Sequence, residues 1–283
     1  MKTALIIIGT ILIVIAIPLV IGSVTLRLRL KGEVKELIAD HLQAGPDIVS
    51  EENIAGLPEP VQRYMRYAGV LGRERIGFVR CRQEGLFRMG PDQKWTRIKA
   101  TQYSSYTSPH ARLWIARMSP MPLFWVSGRD RYYDGEGNIL IKLFSLFKIS
   151  DACDPEMDVS ALITYLNDMV FMPTALLSDF VQWQSIDEKS AQATIIDHGL
   201  SASAVFHFNE KGEIINFVTE DRYMAVDGGY RKAPWSTPFS DYREMGGFMI
   251  PTRGEGIWHL EEGDFCYVKL TISEIEYNNP ALY

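Results

Sequence analysis

Residues 154–170 read DPEMDVSALITYLNDMV, a long helical pattern set among short strand-like segments, and the predicted architecture is built around it. Asp154 is a suitable helix N-cap, and Pro155 suits the first turn. Apolar residues then recur at helical spacing along one side, namely Val159, Leu162, Ile163, Leu166, Met169 and Val170. Because that side must be buried and strands surround it in the sequence, we expect the helix to pack against a sheet.

Short β-type segments separated by turn signals fill the chain from about residue 76 onward. The clearest turns lie at 134–138, 187–190, 209–212 and 261–264. Sequential hairpins give an antiparallel meander, because parallel neighbours need a crossover of about a dozen residues or more. The sequence therefore predicts a mainly β (α+β) fold, in which a curved antiparallel sheet wraps around the helix as a half-barrel and leaves one concave apolar face.

The N-terminal residues predict a membrane anchor. Ala4–Ile21 is a run of 18 residues without a charge, and as a helix it spans about 30 Å, close to the hydrocarbon thickness of a bilayer. A signal peptide has a shorter apolar region of about 7–15 residues, and Val20–Val24 is a poor cleavage site. We expect an uncleaved, single-pass segment that holds the protein at the cell membrane, with residues 4–21 in the lipid bilayer.

The flanking charges leave the orientation open. Lys2 precedes the run, while Arg27, Arg29, Lys31 and Lys35 follow it. The positive-inside rule keeps the more basic side in the cytoplasm. The resemblance to carrier proteins described below favours the opposite side, so the two indications disagree.

Two helices are expected between the anchor and the strands. Glu33–Leu42 has amphipathic spacing and stops before Gly45-Pro46, and Glu59–Ala68 is ended by Gly69. Both apolar stripes are interpreted as covers for the sheet. The predicted organisation is thus a transmembrane anchor (1–26), a helical linker and cover (27–70), and a β half-barrel domain (71–283) that contains the helix 155–171.

Composition and charge exclude several classes of protein. The chain has 283 residues, 47% hydrophobic and 23% charged, with a net charge of −6, which is typical of a globular protein and argues against a nucleic-acid partner. Arg63–Lys99 contains ten Lys/Arg and three Asp/Glu. This basic stretch is either a patch that faces anionic lipid or a set of solvated strand faces.

Catalytic and metal-binding motifs are absent from the sequence. Cys81, Cys153 and Cys266 are odd in number and far apart, so they indicate neither a disulfide framework nor a CxxC site. The five histidines form no HExxH-like motif, and GxSxG, P-loop and GxGxxG motifs are missing. We therefore expect no metal and no cofactor, assign no catalytic residue, and favour a protein that is not an enzyme.

Aromatic side chains are the candidates for a ligand pocket, because a half-open barrel has too few helices to fill its concavity. Arg222 and Glu255 are added because each is charged within an otherwise apolar or aromatic motif. They either pair with each other or leave Arg222 free for an anionic head group. The predicted ligand-binding residues are Trp125, Tyr133, Phe144, Phe171, Arg222, Trp235, Tyr242, Glu255 and Trp258.

The C-terminal strands resemble those of LolA-like lipoprotein carrier and sorting proteins. The resemblance rests on Asp241–Pro251, on Ile272–Asn278 and on the hairpin Val205–Thr219. It implies an incomplete antiparallel barrel whose open apolar concavity holds acyl chains beneath helices.

The chain also resembles, more closely, a membrane-anchored prokaryotic family that is known only as a domain of unknown function. The matching motifs cover residues 57–277 and include Leu57-Pro58, Phe171–Leu177, Asp221–Tyr223, Pro234-Trp235 and Asp241–Arg243. That family often has an Ala-Glu pair on the helix where this chain has Asn167-Asp168. The resemblance implies no activity.

Three functional hypotheses follow. The first is a membrane-anchored, non-enzymatic binding or carrier protein for a lipid or another apolar ligand. The second is a structural or assembly module whose concave face binds a partner protein that the sequence does not identify. The third is a membrane-tethered enzyme that uses Glu255, Arg222, Asp241 or Asp168 in a pocket.

Overall fold

The computed structural model describes residues 2–41 and 47–283, and within the first helix it leaves out the side chains of residues 4, 8, 11, 12, 15, 40 and 41. Within these residues there are four α-helices, α1 (Lys2–His41), α2 (Glu51–Ala55), α3 (Glu59–Ala68) and α4 (Pro155–Asp168). Two short 3-10 helices, Met169–Phe171 and Pro173–Leu177, continue from α4. The predicted helix 155–171 therefore changes type after Asp168. Leu42 and the stop signal Gly45-Pro46 lie outside the described residues.

Fifteen strands account for most of the described residues after Gly77. They are β1 (Phe78–Phe87), β2 (Thr96–Ser105), β3 (Ala111–Met121), β4 (Phe124–Tyr133), β5 (Glu136–Leu143), β6 (Phe147–Ala152), β7 (Val181–Asp187), β8 (Ser190–Asp197), β9 (Leu200–Phe208), β10 (Ile214–Thr219), β11 (Tyr223–Val226), β12 (Gly229–Lys232), β13 (Trp235–Met245), β14 (Phe248–Leu260) and β15 (Gly263–Tyr277). The four predicted turns all join consecutive strands.

Thirteen of these strands form one antiparallel sheet in the order β6-β5-β4-β3-β2-β1-β15-β14-β13-β10-β9-β8-β7. The first and last strands in the sequence, β1 and β15, pair with each other at the centre of the sheet, where Cys81 lies opposite Ile275. Strands β11 and β12 form a separate hairpin. The prediction of a mainly β, antiparallel architecture is confirmed.

The sheet curves because both of its arms reach the same helix. Helix α4 packs against β4 and β5 on one arm and against β8 and β9 on the other. The two arms also contact each other. Asp197 at the end of β8 accepts a hydrogen bond from the Tyr132 hydroxyl of β4, and its Oδ1 lies 2.9 Å from His110 Nδ1. The concave side of the sheet therefore faces α4.

Helix α1 lies on the convex side of the sheet. Leu26 and Leu30 pack against Leu140 of β5, and Val34 and Leu37 pack in a cluster with strands β1 to β3. The helix is continuous across the expected boundary between anchor and linker at residues 26 and 27. Over the part of the chain that the structure describes, no helix combines the length and the apolarity required to cross a bilayer. The expected transmembrane segment is thus not confirmed.

Candidate functional site

Helix α4 and the 3-10 helices that follow it cover one part of the concave face. A Cβ built on Gly137 of β5 would lie 2.4 Å from the Met157 carbonyl oxygen of α4, which shows how closely helix and strand approach. Tyr165 of α4 stacks on Tyr106 with ring centroids 5.0 Å apart. Because residues 160–168 are all buried, this part of the concavity is filled by the protein itself.

A buried polar network lies where α4 ends. Asp168 accepts a hydrogen bond from Arg112 Nε of β3 at 2.5 Å and another from Gln102 Nε2 of β2 at 2.8 Å. Arg112 also donates to Asp130 of β4 at 2.8 Å. Burial alone would lower the pKa of Arg112, but the two carboxylates outweigh it and hold that pKa above its usual value. The concave face is therefore not wholly apolar, which corrects the prediction.

The network continues along the sheet towards the uncovered part of the concave face. Gln83 of β1 donates to the Gln102 side chain at 3.3 Å and accepts a hydrogen bond from Trp114 Nε1 at 2.7 Å. Trp114 in turn packs against a cluster formed by Ile98, Ala100 and Ala116. Polar and apolar surfaces thus meet at Trp114.

Beyond the network, small residues form the floor of the concave face. Ala100, Ala116 and Gly128 are register partners on the adjacent strands β2, β3 and β4. A Cβ built on Gly128 would meet no atom of the described residues within 4 Å. The space above Gly128 is therefore open, in contrast to the space above Gly137.

Aromatic side chains extend this floor across the centre of the sheet. Phe87 of β1 packs on the Ile98 cluster and makes an edge contact with Tyr267 of β15, with ring centroids 5.9 Å apart. Tyr267 stacks with Trp258 of β14 at 6.4 Å. A continuous apolar path therefore joins Ala116 to Trp258.

Arg222 lies at the far end of this path. Its guanidinium carbon is 4.0 Å from the ring centroid of Trp235 and 5.5 Å from that of Trp258, and these two tryptophans are register partners. Cation–π contact of this kind holds the positive charge without neutralising it. Its buried Nη1 atom has no hydrogen-bond partner among the described residues.

Helix α4 and the 3-10 helix that follows it lie beside β11 and β13, and we call this boundary the seam. Two contacts mark its ends. At the start of the seam, the backbone amide of Tyr223 donates to Ser160 Oγ of α4 at 3.0 Å, which ties the residue after Arg222 to the helix. At its end, Phe171 makes an edge contact with Phe239 of β13, with centroids 5.8 Å apart.

Three further polar groups along the seam are buried and lack a hydrogen-bond partner among the described residues. They are Trp235 Nε1, Thr237 Oγ1 and Asn167 Nδ2. Thr237 lies between Trp235 and Phe239 on its strand, and the helical period places Asn167 on the same side of α4 as Ser160. A buried polar group without a partner costs about 1–3 kcal/mol, so a ligand that accepts hydrogen bonds here would be stabilised.

The structure brings together three of the nine predicted ligand-binding residues, Arg222, Trp235 and Trp258. Phe171 lies at the end of the seam. Tyr242 lies in the core, where it donates to the Ile214 carbonyl at 2.9 Å. The other four are away from the seam, as the next paragraph describes.

Trp125, Tyr133, Phe144 and Glu255 lie on the convex side or at a turn. Trp125 and Phe144 contact each other at the β3–β4 and β5–β6 turns, and Tyr133 packs with the cluster under α1. Glu255 pairs with Lys269 at 3.1 Å. The expected pair between Arg222 and Glu255 does not form, because Arg222 stacks on the two tryptophans on the concave side.

The sequence interpretation missed the residues of the polar network. Arg112, Asp130 and Gln102 lie on three separate strands, so no spacing along the chain links them to Asp168. A signal did exist in their alternation, since each falls on the same strand face as apolar core residues.

Other candidate sites are limited within the described residues. No group of three or more His, Cys, Asp or Glu in the described ranges is arranged to hold a metal ion. A cavity of about 420 Å³ lies between α1 and the convex side, and it is lined by Arg27, Leu28, Leu30, Lys31, Val34, Thr101, Tyr103, Ile115, Leu282 and Tyr283.

Residues 47–270 match the model of a family of unknown function, DUF6544. The chain belongs to this family. The resemblance drawn from the Leu57-Pro58 to Asp241–Arg243 motifs is thus confirmed, while membrane anchoring of this DUF6544 member remains a proposal. A search of curated proteins gave no match.

Solved structures similar to this DUF6544 chain include two that cover more than three quarters of it. One is a LolA superfamily protein from Nitrosomonas europaea, 12% identical, with a TM-score of 0.43, covering 78% of this chain and 92% of that one. The other is a domain from Vibrio parahaemolyticus, provisionally assigned to outer membrane lipoprotein sorting, 10% identical, with a TM-score of 0.45 and coverage of 79% and 93%. Likeness at this level carries no information about a ligand.

Proposed function

We propose that this protein is a membrane-anchored, non-enzymatic binding or carrier protein for a lipid or a similar apolar ligand with a polar end. The apolar part of the ligand lies on the uncovered concave face, and its polar end lies at the seam. Residues 4–21 hold the domain at the cell membrane, so that the ligand travels only a short distance.

The observation that carries the proposal is the group of unpartnered polar atoms along the seam. Arg222 Nη1, Trp235 Nε1 and Asn167 Nδ2 are hydrogen-bond donors, and the hydroxyl of Thr237 both donates and accepts. Buried polar groups in folded proteins are almost always paired. Since three of the four donate only and Arg222 is positively charged, they favour an acceptor-rich, anionic group such as a carboxylate or a phosphate.

The apolar path supplies the second half of the proposed site. It begins at Trp258 beside Arg222 and continues through Tyr267 and Phe87 to the Ile98 cluster. Apolar surface with a few convergent polar groups is the usual composition of a ligand site. The open space above Gly128 provides room for a chain that leaves the seam.

The hydrogen bonds that engage the Asp168 carboxylate favour binding over catalysis. Asp168 is engaged by Arg112 and Gln102, and Arg112 is shared with Asp130. A carboxylate held in this way supports the helix on the sheet and is not presented to a ligand as an acid or a base.

Anchoring is supported by the uncharged run and by the exposure of its side chains. Large apolar side chains are more than half exposed along the described part of the run, including Leu5, Ile6, Ile7, Ile13, Val14, Ile17, Val20 and Ile21. Helical apolar side chains that are exposed to this extent along the described part of the run are suited to a lipid environment.

The test uses the full chain purified in a mild detergent. Native mass spectrometry is expected to show a co-purified lipid, and a fluorescent fatty acid is expected to bind with saturation. Gly128→Phe fills the open floor and should weaken fatty-acid binding by at least about tenfold, or about 1.4 kcal/mol. Arg222→Met retains the apolar stem but removes the charge, and should weaken the binding of a fatty acid more than that of the corresponding alcohol.

Gly56→Phe is the matched control, because it adds the same ring beside α2, outside the sheet, where a new Cβ meets no described atom within 4 Å. Thermal unfolding checks that each variant is folded. The proposal is wrong if no lipid co-purifies and the fatty acid does not bind to the folded wild-type chain.

A further inference from the structure

Two turns of the sheet form one apolar projection. The β3–β4 turn contributes residues 121–125 and the β5–β6 turn contributes residues 144–149, and we call these two segments the hairpin tip. Phe144 contacts Phe124 and Trp125 with ring centroids 5.1 and 5.2 Å apart. Trp125 Nε1 also donates to Ser145 Oγ at 3.0 Å. The two turns are therefore one unit.

Large apolar side chains on the hairpin tip face solvent. Leu123 is 92% exposed, Met121 61%, Phe147 58% and Ile149 56%. Single exposed apolar residues are ordinary, but several of them on two turns that contact each other indicate an interaction surface.

The backbone of the tip adds a second observation. Leu123, Phe144 and Ser145 all have positive φ angles, of 62°, 52° and 60°. Glycine or asparagine is the usual residue in this conformation, because a larger side chain is strained there. The backbone of Leu123 is strained and its side chain is exposed, so this side chain contributes little to the stability of the isolated domain. A role outside the domain accounts for it.

The charges near the tip have one sign. Between residues 117 and 128 and between residues 142 and 150, the chain has three basic residues, Arg117, Lys142 and Lys148, and no Asp or Glu. Arg117 stacks over Trp125 at 4.6 Å. Asp151, which follows the second segment, lies 3.4 Å from Lys148. Apolar and aromatic side chains flanked by basic ones suit the interface of an anionic bilayer.

Helix α1 places the tip at the level of the anchor. A Cβ built on Gly22 would lie 3.0 Å from two side-chain atoms of Leu146, so the helix touches the β5–β6 turn at this residue. Gly22 directly follows Ile21, the last residue of the uncharged run. When residues 4–21 occupy the bilayer, the hairpin tip lies at its surface.

We propose that the hairpin tip inserts into the head-group region of an anionic bilayer beside α1, so that the domain contacts the membrane at two places and its orientation is fixed. This inference rests on the proposed membrane anchoring. It adds a second membrane-binding surface, which the apolar run does not provide. Leu123 and Phe147 enter furthest, and Arg117, Lys142 and Lys148 meet lipid phosphates.

The experiment uses the full chain with Cys153→Ser and Cys266→Ser, and leaves the buried Cys81 in place. One cysteine is introduced at a time and labelled with the fluorophore NBD, as Leu123→Cys, Phe147→Cys, Ala16→Cys in the anchor, or Ile186→Cys. Ile186 is the control, because it is 51% exposed on β7, the opposite edge strand of the sheet. Each protein is reconstituted into vesicles of phosphatidylcholine and phosphatidylglycerol.

NBD at residues 16, 123 and 147 is expected to emit at shorter wavelength, to be quenched by lipids with brominated acyl chains, and to be protected from aqueous iodide. NBD at residue 186 is expected to be quenched by iodide alone. If residue 16 is in lipid but residues 123 and 147 remain open to iodide, the tip proposal fails and the anchor stands. If residue 16 is also open to iodide, anchoring itself fails.

Binding of a protein instead of lipid at the hairpin tip would give a different quenching pattern. Should a second copy of the chain cover the tip, residues 123 and 147 would be protected from iodide without being quenched by brominated lipid, which overturns the proposal. The variant Arg117→Gln/Lys142→Gln/Lys148→Gln tests the charges. It is expected to reduce bromolipid quenching at residue 123 in the mixed vesicles, and to leave it unchanged in vesicles of phosphatidylcholine alone.

Discussion

Arg112 of β3 and Asp168 of α4 are joined by a 2.5 Å hydrogen bond between Nε and Oδ2, with less than a tenth of either residue exposed. The pair ties the last turn of α4 to the sheet. It also sets the inner limit of the open concave face, since the floor of small residues lies beyond it.

Asp168→Asn is expected to destabilise the protein by about 3–5 kcal/mol, because removing one partner of a buried ion pair leaves a buried charge incompletely compensated. The measurement is urea unfolding at neutral pH. Glu210→Gln is the control, since Glu210 pairs with Lys189 on the surface and a pair of that kind contributes about 0–1 kcal/mol. Equal effects of the two substitutions would show that the Arg112 contact does not hold α4 in place.

Gly137→Ala and Gly128→Ala form a matched pair on neighbouring strands. The new Cβ at residue 137 would lie 2.4 Å from the Met157 carbonyl oxygen, whereas at residue 128 it would meet no described atom within 4 Å. Overpacking typically costs about 1–3 kcal/mol, so thermal unfolding should show a clear loss for Gly137→Ala and almost none for Gly128→Ala. A large loss for the latter would mean that the floor is already covered.

Asp197 predicts a loss of stability in acid. Burial alone would raise its pKa, but hydrogen bonds from His110 and Tyr132 and the nearby His198 outweigh that effect, so the pKa lies below its ordinary value of 3.8. A carboxyl whose pKa is lowered by folding contributes stability above its unfolded pKa and loses it as the pH falls through the folded pKa. The contribution is therefore present above about pH 4 and declines below it.

Asp197→Asn tests this pH dependence. The variant should be less stable than the wild type at neutral pH, and the difference should shrink as the pH falls below about 4. Asp179→Asn serves as the comparison. Urea unfolding across this pH range measures the effect, and a difference that is constant with pH would contradict the role of the Asp197 carboxylate.

The three cysteines should react with thiol reagents in a fixed order. Burial raises the pKa of Cys81 to about 12, and burial together with the Glu255 carboxylate raises that of Cys266. Cys153 is exposed. Because the thiolate is the reactive form, mass spectrometry after brief alkylation at mild alkaline pH is expected to show modification at Cys153 first, at Cys266 more slowly, and at Cys81 only after denaturation. Rapid modification of Cys81 would show that β1 opens readily.

Local patterns accounted for much of the fold. Helix α3 begins and ends at the predicted residues, Glu59 and Ala68, because a first-turn proline, a helical stripe and a terminal glycine are all within ten residues of each other. Strand β14 likewise ends at Leu260, directly before the predicted turn at 261–264. The β11–β12 hairpin was not predicted, because its four-residue strands are too short to show a clear alternation.

The candidate site was predicted only in part. Arg222 is predicted from its charge within an apolar or aromatic motif, and Trp235 and Trp258 are predicted as aromatic pocket residues; the three do come together. Glu255 was expected beside them but lies on the other face of β14, where alternation from Gly254 and Gly256 directs it to the convex side.

The antiparallel meander, the apolar helix at its centre and the uncharged N-terminal run can be predicted from local sequence, because each depends on residues that are near neighbours in the chain. Two features emerge only from the folded chain. Helix α4 fills one part of the concave face and leaves another part open, and Arg112 meets Asp168, 56 positions away. Such contacts depend on how far the sheet curves, which is set by packing between distant strands.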